Sequence, residues 1–289
     1  MKVPGIITTA LLFAAIFSSS AAAEEASSRF LSRLNGESYP EIQVPQGSQP
    51  LRWDFSRKNT LTYDYAQEVV SKTDIADHRP GETDQKIATQ GELLVKSQGD
   101  GSADFVFNNM KARMEFAVSR DEAPKVMEQS VAPLVVQGIR ENGSGPFGDD
   151  SQDLMLKLLF PLPPRALKAG ETVEVPAQFM FKVMGSQLQV RGRSRITLKR
   201  YVTIDKHTCA ELDVDTDISD LKVPPYLEGK YACSVKAAAV FFFDINSRFF
   251  VSGTSAVLVQ SEVETPRKLQ EAVKMTMKSD NFIRVTLRQ

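Results

Sequence analysis

From residue 51 onward, apolar and polar residues alternate with a period of two through most of the chain. Leu51, Trp53 and Phe55 alternate with polar residues, and the same pattern recurs as far as Leu287. Successive side chains of a β-strand point to opposite faces of its sheet, so this period predicts strands with one buried face. The chain is therefore expected to fold as a mostly β protein.

Short turn signals separate the alternating segments. Gly99-Asp100-Gly101 predicts a hairpin between strands at 87–98 and 102–108. Ser279-Asp280-Asn281 is interpreted as a turn between the last two strands, 270–278 and 282–288. The other strands are expected near 61–69, 110–118, 125–141 (a pair), 171–184, 187–200, 208–218, 230–244 and 248–263.

One helix is expected in this region, because Ser151 can cap a helix that continues to Phe160, where prolines end it. The predicted fold is a twisted antiparallel sheet or partial barrel of about a dozen strands, with this helix packed on the concave face. A single β-rich domain would span 51–289. It would consist of two meander halves, 51–141 and 171–289, joined by the loop, helix and proline segment.

The first 23 residues have the layout of an export signal. Lys2 is followed by an apolar run and then by three alanines that suit cleavage before Glu24. That run is too short to span a bilayer, and no cysteine follows the cleavage site to carry a lipid anchor. The sequence thus predicts a periplasmic or secreted protein that does not span the membrane. Residues 24–50, which are polar and rich in proline, predict a flexible tether.

The charge balance excludes some classes of partner. Removal of the signal leaves 34 basic and 36 acidic side chains. A nearly neutral chain has no electrostatic basis for binding nucleic acid. We expect none.

Two cysteines, Cys209 and Cys233, lie in adjacent predicted strands. An even pair in an exported chain favours a disulfide, with two buried thiols as the alternative.

Charged residues also predict a hairpin register. Arginines alternate in Arg191 to Arg195, and aspartates alternate in Asp213 to Asp217. A three-residue loop, Asp205 to His207, would place Arg195 opposite Asp217 and Lys199 opposite Asp213. The two charged rows are interpreted as a self-neutralised solvent face, with an ion site as the alternative.

No motif for catalysis, a metal or a cofactor is recognisable. The two histidines, His78 and His207, are expected in surface loops. No catalytic residue, metal ligand or cofactor is therefore assigned. A hydrolase that uses paired carboxylates stays open, since 36 acidic side chains allow many pairs.

The segment AAAVFFFDINSRFF, residues 237–250, is the best candidate for a ligand site. The odd residues from 231 to 243 are expected on the core face, small in the middle and aromatic at the end. Phe242 falls on the other face, which requires either a second covering layer or an exposed apolar patch. The hypothetical lining of an apolar pocket is Tyr231, Val235, Phe241, Phe243 and Phe249.

The segment LFPLPPRALKAGETVEVP, residues 159–176, resembles a stretch found between the two β-rich halves of a family of uncharacterised bacterial exported proteins. Leu162-Pro163 and Gly170-Glu171 match it, whereas Val173 stands where an aromatic residue is expected. The layout is also similar to that of periplasmic carriers of lipoproteins and lipids.

We therefore expect an exported, non-catalytic envelope protein that binds a lipid or other apolar ligand, or an envelope protein partner. The alternatives are a structural or interaction component of the envelope and, less favoured, the carboxylate hydrolase.

Overall fold

The computed structural model describes residues 34, 38–43, 50–75, 83–116, 123–145, 158–183, 186–264 and 274–288. These residues form a mostly β structure with an antiparallel sheet, which confirms that part of the predicted fold. Its eleven strands are β1 (Asn59–Ile75), β2 (Thr83–Ser97), β3 (Ser102–Phe116), β4 (Lys125–Ser130), β5 (Leu134–Arg140), β6 (Glu171–Val183), β7 (Ser186–Ile204), β8 (His207–Lys222), β9 (Lys230–Asp244), β10 (Phe249–Glu264) and β11 (Lys274–Leu287).

All eleven strands belong to one open antiparallel sheet with the order β4-β3-β2-β1-β11-β10-β9-β8-β7-β6. Strand β5 follows β4 in the chain and pairs with the other end of β3. The first half of the chain thus builds one flank of the sheet and the second half builds the other. The first and last strands, β1 and β11, pair at the junction.

Large apolar side chains mark one face of the sheet, which we call the inner face. Phe105 of β3 and Phe250 of β10 both lie against the ring of Phe160, with centroids 5.7 and 5.1 Å away. The two strands are four spacings apart, about 19 Å in a flat sheet. The sheet therefore curves toward this face.

The segment between β5 and β6 must pass from one edge of the sheet to the other. Leu158, Leu159, Phe160 and Leu167, from its described part, are buried in the inner clusters, so this part of the crossing segment lies on the inner face. Leu158 to Phe160 are also the described end of the predicted helix, whose other residues lie outside the described ranges.

The segment before β1 covers the end of the inner face where β2 meets β3. Trp53 stacks on Phe55 at 5.4 Å and contacts Phe160 at 5.3 Å. The backbone N–H of Trp53 donates to the carbonyl of Glu141. The alternation seen at residues 51–55 therefore reflects an extended buried segment that lies outside the strands.

The opposite face, the outer face, carries a smaller apolar layer. The ring of Tyr39 packs edge-on against Phe242 at 5.0 Å, and Leu34 packs against Phe282 and Ala256. Residues of the predicted tether thus form the second layer that covers Phe242. Glu41 adds a β-bridge to Val202.

The turn predicted at Ser279-Asp280-Asn281 is wrong, because β11 continues through it. Ser279 pairs with Ser71 of β1 on one side and with Val259 of β10 on the other. Hydrogen bonding to two neighbouring strands outweighs the local turn preference of these residue types.

The predicted register of β7 and β8 is also wrong. The connection is a two-residue turn, with Asp205 in the left-handed region (φ 51°) and Ile204 opposite His207. An irregularity between Leu198 and Arg200 then moves the register further, so that Arg195 faces Asp215. Lys199 nevertheless contacts Asp213, at 3.2 Å, as the charge pattern indicates.

The predicted disulfide is wrong, since Cys209 and Cys233 are both free and buried. Cys209 lies opposite Asp244, which is eleven residues further along β9 than Cys233. Eleven strand residues span about 36 Å. Cys209 also belongs to the outer apolar layer and Cys233 to the inner one, so no bridge is possible without refolding the sheet.

Candidate binding face

The inner face changes character along the length of the strands. At the end near Trp53 it carries large rings, including Tyr63, Tyr65, Phe241 and Phe243. We call this the lower inner face. Further up, β1 and β8–β11 present aliphatic, sulfur-containing, hydroxyl and amide side chains and no aromatic ones: Gln67, Val69, Ser71, Thr73, Thr216, Ile218, Cys233, Val235, Ala237, Ser255, Val257, Val259, Ser261, Met277, Ser279 and Asn281. We call this the upper inner face.

A buried polar row lies on the β1 and β11 side of the upper inner face. Tyr65 Oη donates to Gln67 Oε1 at 3.0 Å, and Gln67 Nε2 donates to Asn281 Oδ1 at 3.2 Å. Further along the same two strands, the hydroxyls of the paired residues Ser71 and Ser279 are 3.4 Å apart. The row satisfies much of its own hydrogen bonding, as buried polar groups must.

The β8, β9 and β10 side of the same face is apolar. Ile218, Val235 and Val257 belong to one buried cluster, on which Leu158 packs from the crossing segment. Cys233 lies in this cluster, and burial raises the pKa of its thiol to about 12. The thiol therefore stays protonated and behaves as a small apolar side chain.

Ser255 joins the two sides. It lies between Ile283 of β11 and Ala239 of β9 and is 1% exposed. Its hydroxyl has no hydrogen-bond partner among the described residues. A buried hydroxyl without a partner costs about 1–3 kcal/mol, so this position is unfavourable for stability alone.

The five residues predicted to line a pocket occur in different parts of the inner face. The odd residues of β9 do share this face, as predicted. Phe241 and Phe243 belong to the aromatic lower inner face, whereas Val235 belongs to the upper one. Tyr231 packs beyond it at the strand end, beside Val263. Phe249 is the first residue of β10 and packs against both the inner and the outer apolar layers.

The polar row was missed in the sequence because its residue types favour turns. The residue types of Ser279 and Asn281 predict a turn, and Gln67 interrupts an otherwise apolar alternation. Ser279 lies two residues after Met277, and Asn281 lies two residues before Ile283. This spacing places both on the face of the flanking apolar residues if the strand continues through them.

His207 is buried instead of lying in a surface loop, which corrects the interpretation of this residue. Its Nδ1 is 2.6 Å from Asp244 Oδ2, and its ring contacts Phe249. Asp244 also accepts the backbone N–H groups of Asn246 and Ser247. Burial raises the pKa of Asp244, but these hydrogen bonds outweigh it and leave the pKa below its usual value.

The cysteine beside this pair does not supply a thiolate nucleophile. Cys209 is fully buried, and burial together with the Asp244 charge raises the pKa of its thiol to about 12. The pair links the turn between β7 and β8 to the turn between β9 and β10. His78 lies outside the described residues.

β8 also carries a buried acidic side chain, and its charge is neutralised by neighbouring cations. Glu211 accepts a hydrogen bond from Arg200 Nε at 2.7 Å and pairs with Lys199 at 3.1 Å. Within the described ranges, no three His, Cys, Asp or Glu side chains are grouped so as to hold a metal ion.

In the same part of the chain, no helix has both the length and the apolar character needed to cross a membrane. A scan against protein-family models finds no match, and a search of curated proteins finds no similar sequence.

Proposed function

We propose that this protein is an exported, non-catalytic envelope protein that binds an amphipathic lipid-like ligand on its upper inner face. The observation that carries the proposal is Ser255, a buried hydroxyl without a partner at the border of a polar row and an apolar cluster. A bound polar group would satisfy this hydroxyl. In this proposal the curved sheet forms a partial barrel around the ligand. The predicted helix ends near Leu158, which contacts the apolar cluster of the upper inner face.

The two sides of the face define the chemistry of the ligand. Ile218, Val235 and Val257 form a buried apolar wall. Such a wall suits a hydrocarbon chain, because a chain bound there is kept out of water. The Gln67 and Asn281 amides can exchange their mutual hydrogen bond for one to a ligand hydroxyl, ester or carboxyl group. Ala237 belongs to the same wall, and its small side chain leaves more room for a chain across the strands than a larger side chain would.

The predicted export signal agrees with this chemistry, since acyl lipids are abundant in a bacterial envelope. Phe241 and Phe243 would form the floor of the site through their contacts with Phe250. Val235 would line its side and Tyr231 its entrance. Phe249, the first residue of β10, would support the site by packing against the inner core cluster.

The test is lipid extraction and mass spectrometry of protein purified from its native host. We expect a co-purifying acyl lipid in the unaltered protein. Ala237→Phe should reduce the bound lipid at least tenfold, because the new ring fills the upper inner face. The matched control is Ala238→Phe, which places the same ring on the outer face of the same strand and should retain the lipid.

A conservative variant protects the test against misfolding. Ser255→Ala removes only the unpartnered hydroxyl, so it should fold at least as stably and bind less lipid. Absence of lipid, together with no saturable binding of a fluorescent fatty acid, would contradict the proposal and favour a structural component. Release of cleaved lipid over time would favour the hydrolase instead.

A further inference from the structure

We propose a second site on the outer face, an anion-binding cavity that takes a phosphate group. This cavity has a volume of about 250 Å³ and lies on the face opposite the proposed lipid site. The tether residues Leu34 and Ser38 form one wall, and strands β7–β11 form the rest. Its volume is below the range of sites that hold drug-sized ligands, which suits a small ion or a headgroup.

Donors concentrate on the β10 and β11 side of the cavity. Thr254 lies directly opposite Arg284, and Ser252 lies directly opposite Thr286. Side chains at directly opposed positions of antiparallel strands have Cβ atoms about 5 Å apart. Three hydroxyls and one guanidinium therefore share an area that a single phosphate can span, and Ser38 adds a fourth hydroxyl from the tether.

These donors are available because the acids nearby already have partners. Glu211 pairs with Lys199 and Arg200, and Arg200 also reaches Glu41 at 3.6 Å. Asp64 and Glu92, on the other side of Arg284, both form ion pairs with Arg288. Within the described residues, the Arg284 guanidinium forms no ion pair.

The chemistry of an oxyanion fits this arrangement. A guanidinium gives two parallel N–H donors to a phosphate, and hydroxyls donate to its remaining oxygens. Lys199 and Arg200 lie at the far side of the cavity, where Glu211, Asp213 and Glu41 offset their charges. The charge that attracts the anion is therefore that of Arg284. The apolar floor formed by Val240 and Phe242 lowers the competition from water.

The first experiment measures the affinity of the full mature chain for inorganic phosphate by calorimetry at low ionic strength. We expect saturable binding with one site per chain. Arg284→Gln should weaken it at least tenfold, and Thr254→Val should weaken it several-fold. The matched control is Arg191→Gln, which alters an exposed arginine of β7 that hydrogen-bonds to Gln189 and lies outside the cavity.

A second arm uses monomeric short-chain phosphatidylglycerol, which distinguishes a lipid headgroup from a free phosphate. If a headgroup is the ligand, this lipid should bind more tightly than inorganic phosphate and lose that affinity in Arg284→Gln. Ala237→Phe should leave phosphate binding unchanged, so failure of this site and failure of the inner-face site are distinguishable. Absence of saturable binding in both arms, or equal affinity in Arg284→Gln, would overturn the proposal.

Discussion

A charged carboxyl group in the middle of the sheet gives the chain a specific pH dependence. Asp280 lies on the outer face of β11 and is 4% exposed. Burial raises the pKa of its carboxyl from 3.8 to about 6, and the nearby Lys278 ammonium offsets this only in part. The folded state therefore binds a proton more tightly than the unfolded state at Asp280.

The sign of the effect follows from this difference. A raised pKa in the folded state means that the free energy of unfolding decreases as pH rises from 3.8, and the loss is complete above about pH 6. Each pKa unit corresponds to about 1.4 kcal/mol. The penalty is about 1 kcal/mol at pH 4.5 and about 3 kcal/mol at pH 7.5.

The perturbation is Asp280→Asn, which keeps the size of the side chain and removes its charge. We expect this variant to be more stable than the unaltered protein by up to about 3 kcal/mol at pH 7.5 and by about 1 kcal/mol at pH 4.5. Urea unfolding at the two pH values measures the difference. Asp217→Asn makes the same change at an exposed position of β8; it is the control and should not reproduce the gain of Asp280→Asn.

Two results would refute this reasoning. The first is a stability gain that does not change with pH, since it would come from something other than ionisation of Asp280. The second is a loss of stability at pH 7.5, which would show that the charged carboxylate is stabilised by its surroundings.

Three further predictions follow from the packing. Phe160→Ala should lower the free energy of unfolding by about 3–5 kcal/mol in urea denaturation, because it leaves a cavity in the aromatic end of the core; a loss below 1 kcal/mol would contradict the central position of this ring. Gly253→Ala should cost about 1–3 kcal/mol, since a Cβ there would lie 1.9 Å from the ring of Phe241; unchanged thermal stability would argue against that contact. Mass spectrometry after alkylation should show Cys209 and Cys233 both labelled in denaturant without reductant and both protected in the native state, and recovery of a linked peptide would contradict the strand register.

The architecture was largely readable from the period of two. Alternation identified the strands and their buried sides, as in β9, where the inner residues from Tyr231 to Phe243 are the ones predicted. Such patterns work because a one-residue error would place every apolar side chain in water. The Gly99-Asp100-Gly101 hairpin was equally clear, since its glycines take the positive φ angles that the turn needs.

Pairing details were less predictable, because they depend on irregularities that no local pattern reveals. The irregularity between Leu198 and Arg200 moves the charge pairs of β7 and β8. The two cysteines lie in adjacent strands, as expected, but their positions along those strands depend on the turns and lengths of both hairpins. Adjacent strands therefore did not imply adjacent thiols.

The candidate binding face was the least predictable part, and the reason bears on its function. Gln67, Ser279 and Asn281 occupy the two strands that pair at the middle of the sheet, where apolar side chains would bury more favourably. Hydrogen bonds within the row recover most of that cost, but Ser255 recovers none of it. A sheet selected for stability alone gains nothing from an unpartnered hydroxyl at this position. The ligand that we propose for this face would pair with Ser255, and it would account for the amphipathic character of the residues around it.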